Sequence, residues 1–193
     1  MKDPVRERIN HIAALAKDAF KDHQIEQQFD NGLWRSWRCR RAKSWAYGFD
    51  VVTGPGWIML RGDLGTMCWE RELDMVKWAR GAINDLSYFA EKVSAGQTKE
   101  YDQECAKAWL AAEIEEAENN AGGDEQRLCE LSELLDLDNG EPENEHAWKE
   151  QVHTSGVCDG GDWPDWNNYT NRFLWLREAL KWFLANMKEP VPA

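Results

Sequence analysis

The sequence predicts an α+β fold, with a small antiparallel meander of three or four strands packed against six or seven helices. Two observations lead to this. Residues 33–70 are rich in aromatic and β-branched side chains and are cut by turn sequences at short, regular intervals. On either side of that stretch, apolar residues recur at the three- and four-residue spacing of helices. Length agrees: 193 residues, 30% charged and 42% hydrophobic, suit one domain with one sizeable core.

In chain order, residues 4–28 read as a helix, opened by Pro4 and carrying Val5, Ile9, Ile12, Leu15 or Ala16, Ala19 and Phe20 at helical spacing. Asn31-Gly32 turns the chain. Strands follow at 34–43, Tyr47 to Thr53, Trp57 to Arg61 and Thr66 to Glu70. Between the second and third, Gly54-Pro55-Gly56 has the chemistry of a type II turn, and Gly62-Asp63-Leu64-Gly65 is the next turn. From Glu72 the period becomes helical, with Leu73, Val76 and Ala79 on one short face. Asn84 is the expected cap of a helix over 85–95, lined by Leu86, Phe89, Ala90 and Val93. Thr98 is the expected cap of a helix to Asn120 that buries Tyr101, Cys105, Trp109 and Ala112. Three more helices are expected at 124–137 (Leu128, Leu131, Leu134, Leu135), 142–154 and 168–187 (Phe173, Leu176, Leu180, Phe183, Leu184, Met187). No linker divides the chain, which reads as one domain, 1–193: residues 1–96 supply a helix, the sheet and short helices, and 97–193 an acidic helical half.

Charge is segregated. The net charge is −12, yet residues 1–99 carry +3 and residues 100–150 carry −14. Direct nucleic-acid binding by phosphate neutralisation is disfavoured for such a chain. No apolar run reaches the roughly 20 residues of a membrane span, and no apolar stretch behind Met1-Lys2-Asp3-Pro4 suggests a secretory signal. Five scattered cysteines, none in a C-x-x-C pair, suit reduced thiols and a cytoplasmic setting. Twelve tryptophans point either to aromatic packing layers or to display of indoles to a partner.

No metal or cofactor is expected. His146 and His153 are seven residues apart. On a helix that is about 10.5 Å, too far to share one zinc at about 2.1 Å from each nitrogen. His11 and His23 lack local companions, and Cys158 and Asp159 beside His153 are only a loose grouping. The sequence has no G-x-S-x-G elbow, P-loop or dinucleotide fingerprint, so no catalytic residue is assigned. Asp63 lies in a turn, where a carboxylate ordinarily accepts backbone N–H groups.

Two surfaces remain. Glu113, Glu115, Glu116 and Glu118 present a line of charge at helical spacing, and Trp163 and Trp166 flank Pro164 in the loop 155–167. Together they suit a partner protein with a basic surface, although a solvated face and core packing are the ordinary roles of such residues. The second surface is the basic strand. Arg38 and Arg40 with Trp37 and Trp45 could hold a small anionic nucleotide, through guanidinium forks and indole stacking. An edge strand with arginines outward is the structural alternative, and such an edge would permit pairing between copies. The oligomeric state is left open, and an enzyme of a kind these motifs miss is the third alternative.

Phe49-Asp50-Val51-Val52-Thr53-Gly54-Pro55-Gly56, Gly62-Asp63-Leu64-Gly65, Asp74-Met75 and Tyr88-Phe89-Ala90-Glu91-Lys92 form a set within residues 49–92. This set resembles small bacteriophage and prophage proteins of uncharacterised function. The resemblance implies a phage accessory protein in the cytoplasm of the infected cell, and by analogy one that binds and inhibits a host protein such as a defence nuclease or its regulator. It implies no residue roles.

Overall fold

Asp3 and Pro4 start the first helix. The Asp3 carboxylate accepts from the backbone N–H groups of Val5 and Arg6 at 3.0 and 3.1 Å, the bonds of an N-cap, and Pro4 occupies the first turn of α1 (Pro4–Phe20). The computed structural model describes residues 3–119, 125–136, 144–155 and 163–188. The chain folds into two units: a sheet unit of residues 8–99 and 169–193, and a helical unit of residues 1–7 and 100–168.

In the sheet unit six strands run in sequence order, each antiparallel to the next: β1 (Gln24–Asn31), β2 (Trp34–Arg40), β3 (Phe49–Gly54), β4 (Trp57–Gly62), β5 (Gly65–Glu70) and β6 (Val93–Ala95). The α+β class and the central meander agree with expectation; the sheet is wider. The helix expected over 4–28 ends at Phe20, where the apolar spacing runs out. Gln24–Asn31, exposed except for half-buried Ile25, is a strand because it pairs the otherwise open side of β2. Val93, expected in a helix, likewise lies in a strand that pairs β5. Gly56 has φ +87°, as a type II turn requires at its third position.

Alternation along the strands separates two faces. Trp37, Cys39, Phe49, Val51, Ile58, Leu60, Met67 and Trp69 point inward and are at most 4% exposed. Arg35 shares this face, where its guanidinium meets the Asp74 carboxylate at 2.7 Å. Asp74 also caps α2 (Met75–Ala82) by accepting from Val76 and Lys77, so one carboxylate ties strand to helix. The next cap is Asp85, not Asn84: it accepts from Tyr88 and opens α3 (Leu86–Glu91). Leu73, expected on the apolar face, precedes the helix and is exposed.

α7 (Asn171–Asn186), capped by Thr170, buries Phe173, Leu174, Leu176, Ala179, Leu180 and Phe183. Phe183 lies 5.0 Å from Trp37, ring centroid to ring centroid. Phe20 fills the space among Phe49, His23, Trp175 and Trp182, and Phe89 lies between Trp69 and Trp78 at 5.0 and 5.4 Å. Much of the tryptophan excess is therefore packing.

The helical unit contains α4 (Gln103–Asn119), α5 (Glu125–Asp136) and α6 (Glu145–Thr154). The helix expected from Thr98 starts later, because 99–101 belong to β7 (Lys99–Tyr101), paired with β8 (Asn167–Tyr169). Asp102 starts α4: one oxygen accepts from the Glu104 N–H at 3.0 Å and the other from Asn168 at 2.7 Å. Ala106, Leu110 and Ala117 form the buried side of α4 along with Cys105, while Ala112, expected there, is exposed. Leu131, Leu134, Trp148, Val152 and Trp166 complete this core.

His23 is 8% exposed in its aromatic surround. Burial, aided by Arg41, holds its pKa below the ordinary value, against the opposing pull of the Tyr47 carbonyl and Asp22. Above about pH 6.5 the ring is neutral in folded and unfolded chains alike and nothing is lost. As pH falls through that value, the unfolded chain takes up a proton that the folded one resists. Stability is then expected to drop, levelling below the folded pKa. Urea midpoints across this range are expected to slope less in His23→Gln than in the parent, and equal slopes would refute the assignment.

Candidate functional site

The outward side of β2 is the more sharply built of the two surfaces. β2 is not an edge strand, since β1 pairs it on one side and β3 on the other, and it offers no free edge to a second copy. Arg38 and Arg40 face outward beside Glu26 and Gln24 of β1. The Arg38 Nε donates to Asp50 at 3.1 Å, and its guanidinium lies 5.7 Å over the Trp45 ring. Arg61 approaches the other Asp50 oxygen at 3.6 Å. Trp37 lies on the opposite face, buried against Phe183, so three of the four expected ligand-binding residues come together and Trp37 does not.

The loop after β2 brings two more cations. Arg41 donates to the Ala19 carbonyl at 2.9 Å, and with Arg38, Arg40 and Lys43 it lines a cleft of about 300 Å³ whose carboxylate is Glu26. Lys43 and Tyr47 both hold left-handed backbone, at φ 61° and 57°. Such conformations cost of order 1 kcal/mol or more each in residues other than glycine, and they collect where a loop must hold a particular shape. Asp63 helps hold it. Its carboxylate accepts from the Tyr47 N–H at 2.8 Å, the role its turn position suggested. Arg41 and Lys43 were visible as part of a basic run, but their convergence depends on the turn closed by the Ser44 N–H donating to the Arg41 carbonyl at 3.3 Å.

The acidic surface divides. Glu115, Glu116 and Glu118 on α4 are exposed, whereas Glu113 is part-buried and paired with Arg127 of α5 at 2.9 Å. Trp166 is 1% exposed, with Trp109, Trp163 and Trp148 at 5.4, 5.9 and 6.0 Å from its ring. It is a core residue with no surface to present. Trp163 is half-buried, and the Lys149 ammonium lies 5.9 Å over its ring. The helical unit carries −17 and the sheet unit +5, a sharper division than the sequence halves suggested.

Among the described residues no group of three or more His, Cys, Asp or Glu side chains converges to hold a metal, and no helix is long and apolar enough to cross a membrane. Cys158 and Asp159 lie outside the described residues. No family model matches the chain, and comparisons with curated proteins and with solved structures find no match.

Trp166 supplies the common packing surface for three other indoles. Trp166→Ala is expected to destabilise the protein by about 3–5 kcal/mol, as large buried aromatics do. Glu116→Gln, on the exposed face, is expected to shift urea unfolding by less than about 0.5 kcal/mol.

Proposed function

We propose that this chain acts by binding rather than by chemistry, and that its acidic helical unit docks on a basic surface of a partner protein. Charge segregation is the observation that carries this reading: −17 on one unit, with Glu115, Glu116 and Glu118 exposed along α4. A field of one sign accelerates encounter with an oppositely charged partner and disfavours others. With Trp166 in the core, affinity beyond steering falls to the half-exposed Trp163 and its surroundings. The resemblance to phage accessory proteins supplies the setting, a bacterial cytoplasm in which a host protein, a defence nuclease or its regulator, is bound and inhibited.

The test is native mass spectrometry after gentle capture from a bacterial lysate at low salt, with a Glu115→Lys, Glu116→Lys, Glu118→Lys variant in parallel. A stoichiometric protein is expected with the parent chain, lost on adding salt and lost from the variant. Equal recovery by both would refute the acidic-surface reading.

A second reading rests on the arginine cleft. Four cations around about 300 Å³, one of them stacked on Trp45, suit the phosphates of a small nucleotide that the chain sequesters. Calorimetry with cyclic and linear nucleotides is expected to show binding that weakens at least tenfold in Arg40→Ala, Lys43→Ala. Flat titrations with the parent would remove this reading.

A further inference from the structure

A second cleft lies on the other side of β1, between that strand and the C-terminal end of α7. It measures about 460 Å³, inside the range of roughly 300–1,000 Å³ typical of small-molecule sites. Its lining joins Trp37, Trp182, Met187 and His23 to carboxamides at Gln24, Gln27 and Asn186 and to Lys188.

Lys188 can only donate, whereas His23, Gln27 and Asn186 lean the other way. The His23 Nε2 lies 3.1 Å from the Tyr47 carbonyl oxygen. A carbonyl only accepts, so Nε2 carries the hydrogen and Nδ1 is left as a bare acceptor. Nδ1 is buried and has no partner, although His23 is more than nine-tenths buried and such groups are ordinarily satisfied. Gln27 donates an amide hydrogen to Asp30 at 2.8 Å, and Asn186 donates one to the Trp182 carbonyl at 2.7 Å. Each carboxamide then keeps two oxygen lone pairs against one remaining N–H. Flat apolar walls that carry these acceptors beside one donor-only ammonium complement a flat ring with both amino hydrogens and ring acceptors.

We propose that this cleft binds a planar nitrogen heterocycle bearing an exocyclic amino group, as in an amino-substituted nucleobase. The ring lies against Trp182 and Met187, and its amino hydrogens meet the carboxamide oxygens of Gln27 and Asn186. This site is separate from both readings above, since it uses neither the acidic face nor the arginine cleft.

Saturation-transfer NMR on the full chain tests it, with guanosine, adenosine and cytidine as probes and uridine, which lacks the amino group, as the comparison. These probes carry no phosphate, so occupancy of the arginine cleft is not what they report. Transfer to the base protons of an amino-bearing nucleoside is expected to exceed that to uridine, and the Nδ1 resonance of His23 is expected to move on binding. Gln27 and Asn186 are exposed, so Gln27→Leu and Asn186→Leu leave the fold in place. Each is expected to weaken binding about fivefold, as loss of one neutral hydrogen bond does. Absence of transfer from all three amino nucleosides, equal transfer to uridine, or unchanged affinity in both variants would overturn the proposal.

Discussion

Strict alternation along β2 to β5 is the constraint on which the sheet unit depends. Register couples four strands, so a slip of one residue would send Trp37, Cys39, Val51 and Leu60 outward and bring Arg38, Asp50 and Arg61 into the apolar layer. The charged cluster and the core are thus two consequences of one pairing. The same rule gives Gly54 its place. A Cβ there would stand 2.6 Å from the Trp57 indole nitrogen, so only glycine lets Trp57 lie across β3 and come within 6.0 Å of Trp34. Arg35 is the one cation on the inward face. Its burial is tolerable because Asp74 meets it there while capping α2, so helix and strand are held by the same carboxylate.

How much of this was legible in the sequence depended on whether the signal was local. Turns at 54–57 and 62–65 carry their own chemistry, and the strands between them followed. The helix at 171–186 announced itself through Phe173, Leu176, Leu180 and Phe183. β1 did not, because Gln24 to Asn31 has only Ile25 and Phe29, four residues apart among polar side chains and without apolar alternation; it is a strand through its bonds to β2. Val93 looked helical for a similar reason and was claimed by β5. On α4, Ala112 and Ala117 are the same residue type, and only the position of the neighbouring helices decides which is buried.

The candidate surfaces were legible as composition and not as geometry. A basic run at 35–43 could be read directly, but alternation removed Trp37 from it and the left-handed turn added Arg41 and Lys43. Trp163 and Trp166 looked equivalent across Pro164, yet one is half-buried and the other lies beneath three indoles. His23 gave no signal. Its tautomer and its unused nitrogen come from a carbonyl 24 residues away in the chain.

The order of the segments bears on how the protein is made. The inward face of the sheet is complete in sequence by Glu70 apart from β6, but α7, whose Phe183 lies against Trp37, leaves the ribosome only after the segments of the helical unit. At about 5–20 residues per second, more than a hundred intervening residues mean that Trp37 and Phe49 await Phe183 and Trp182 for about ten seconds. During that interval the helical unit has its own segments, and can bury Leu110, Leu131 and Trp166 before the older sheet is closed. Deleting Asn171–Asn186 would therefore leave a chain whose sheet keeps part of its apolar side open to aggregation.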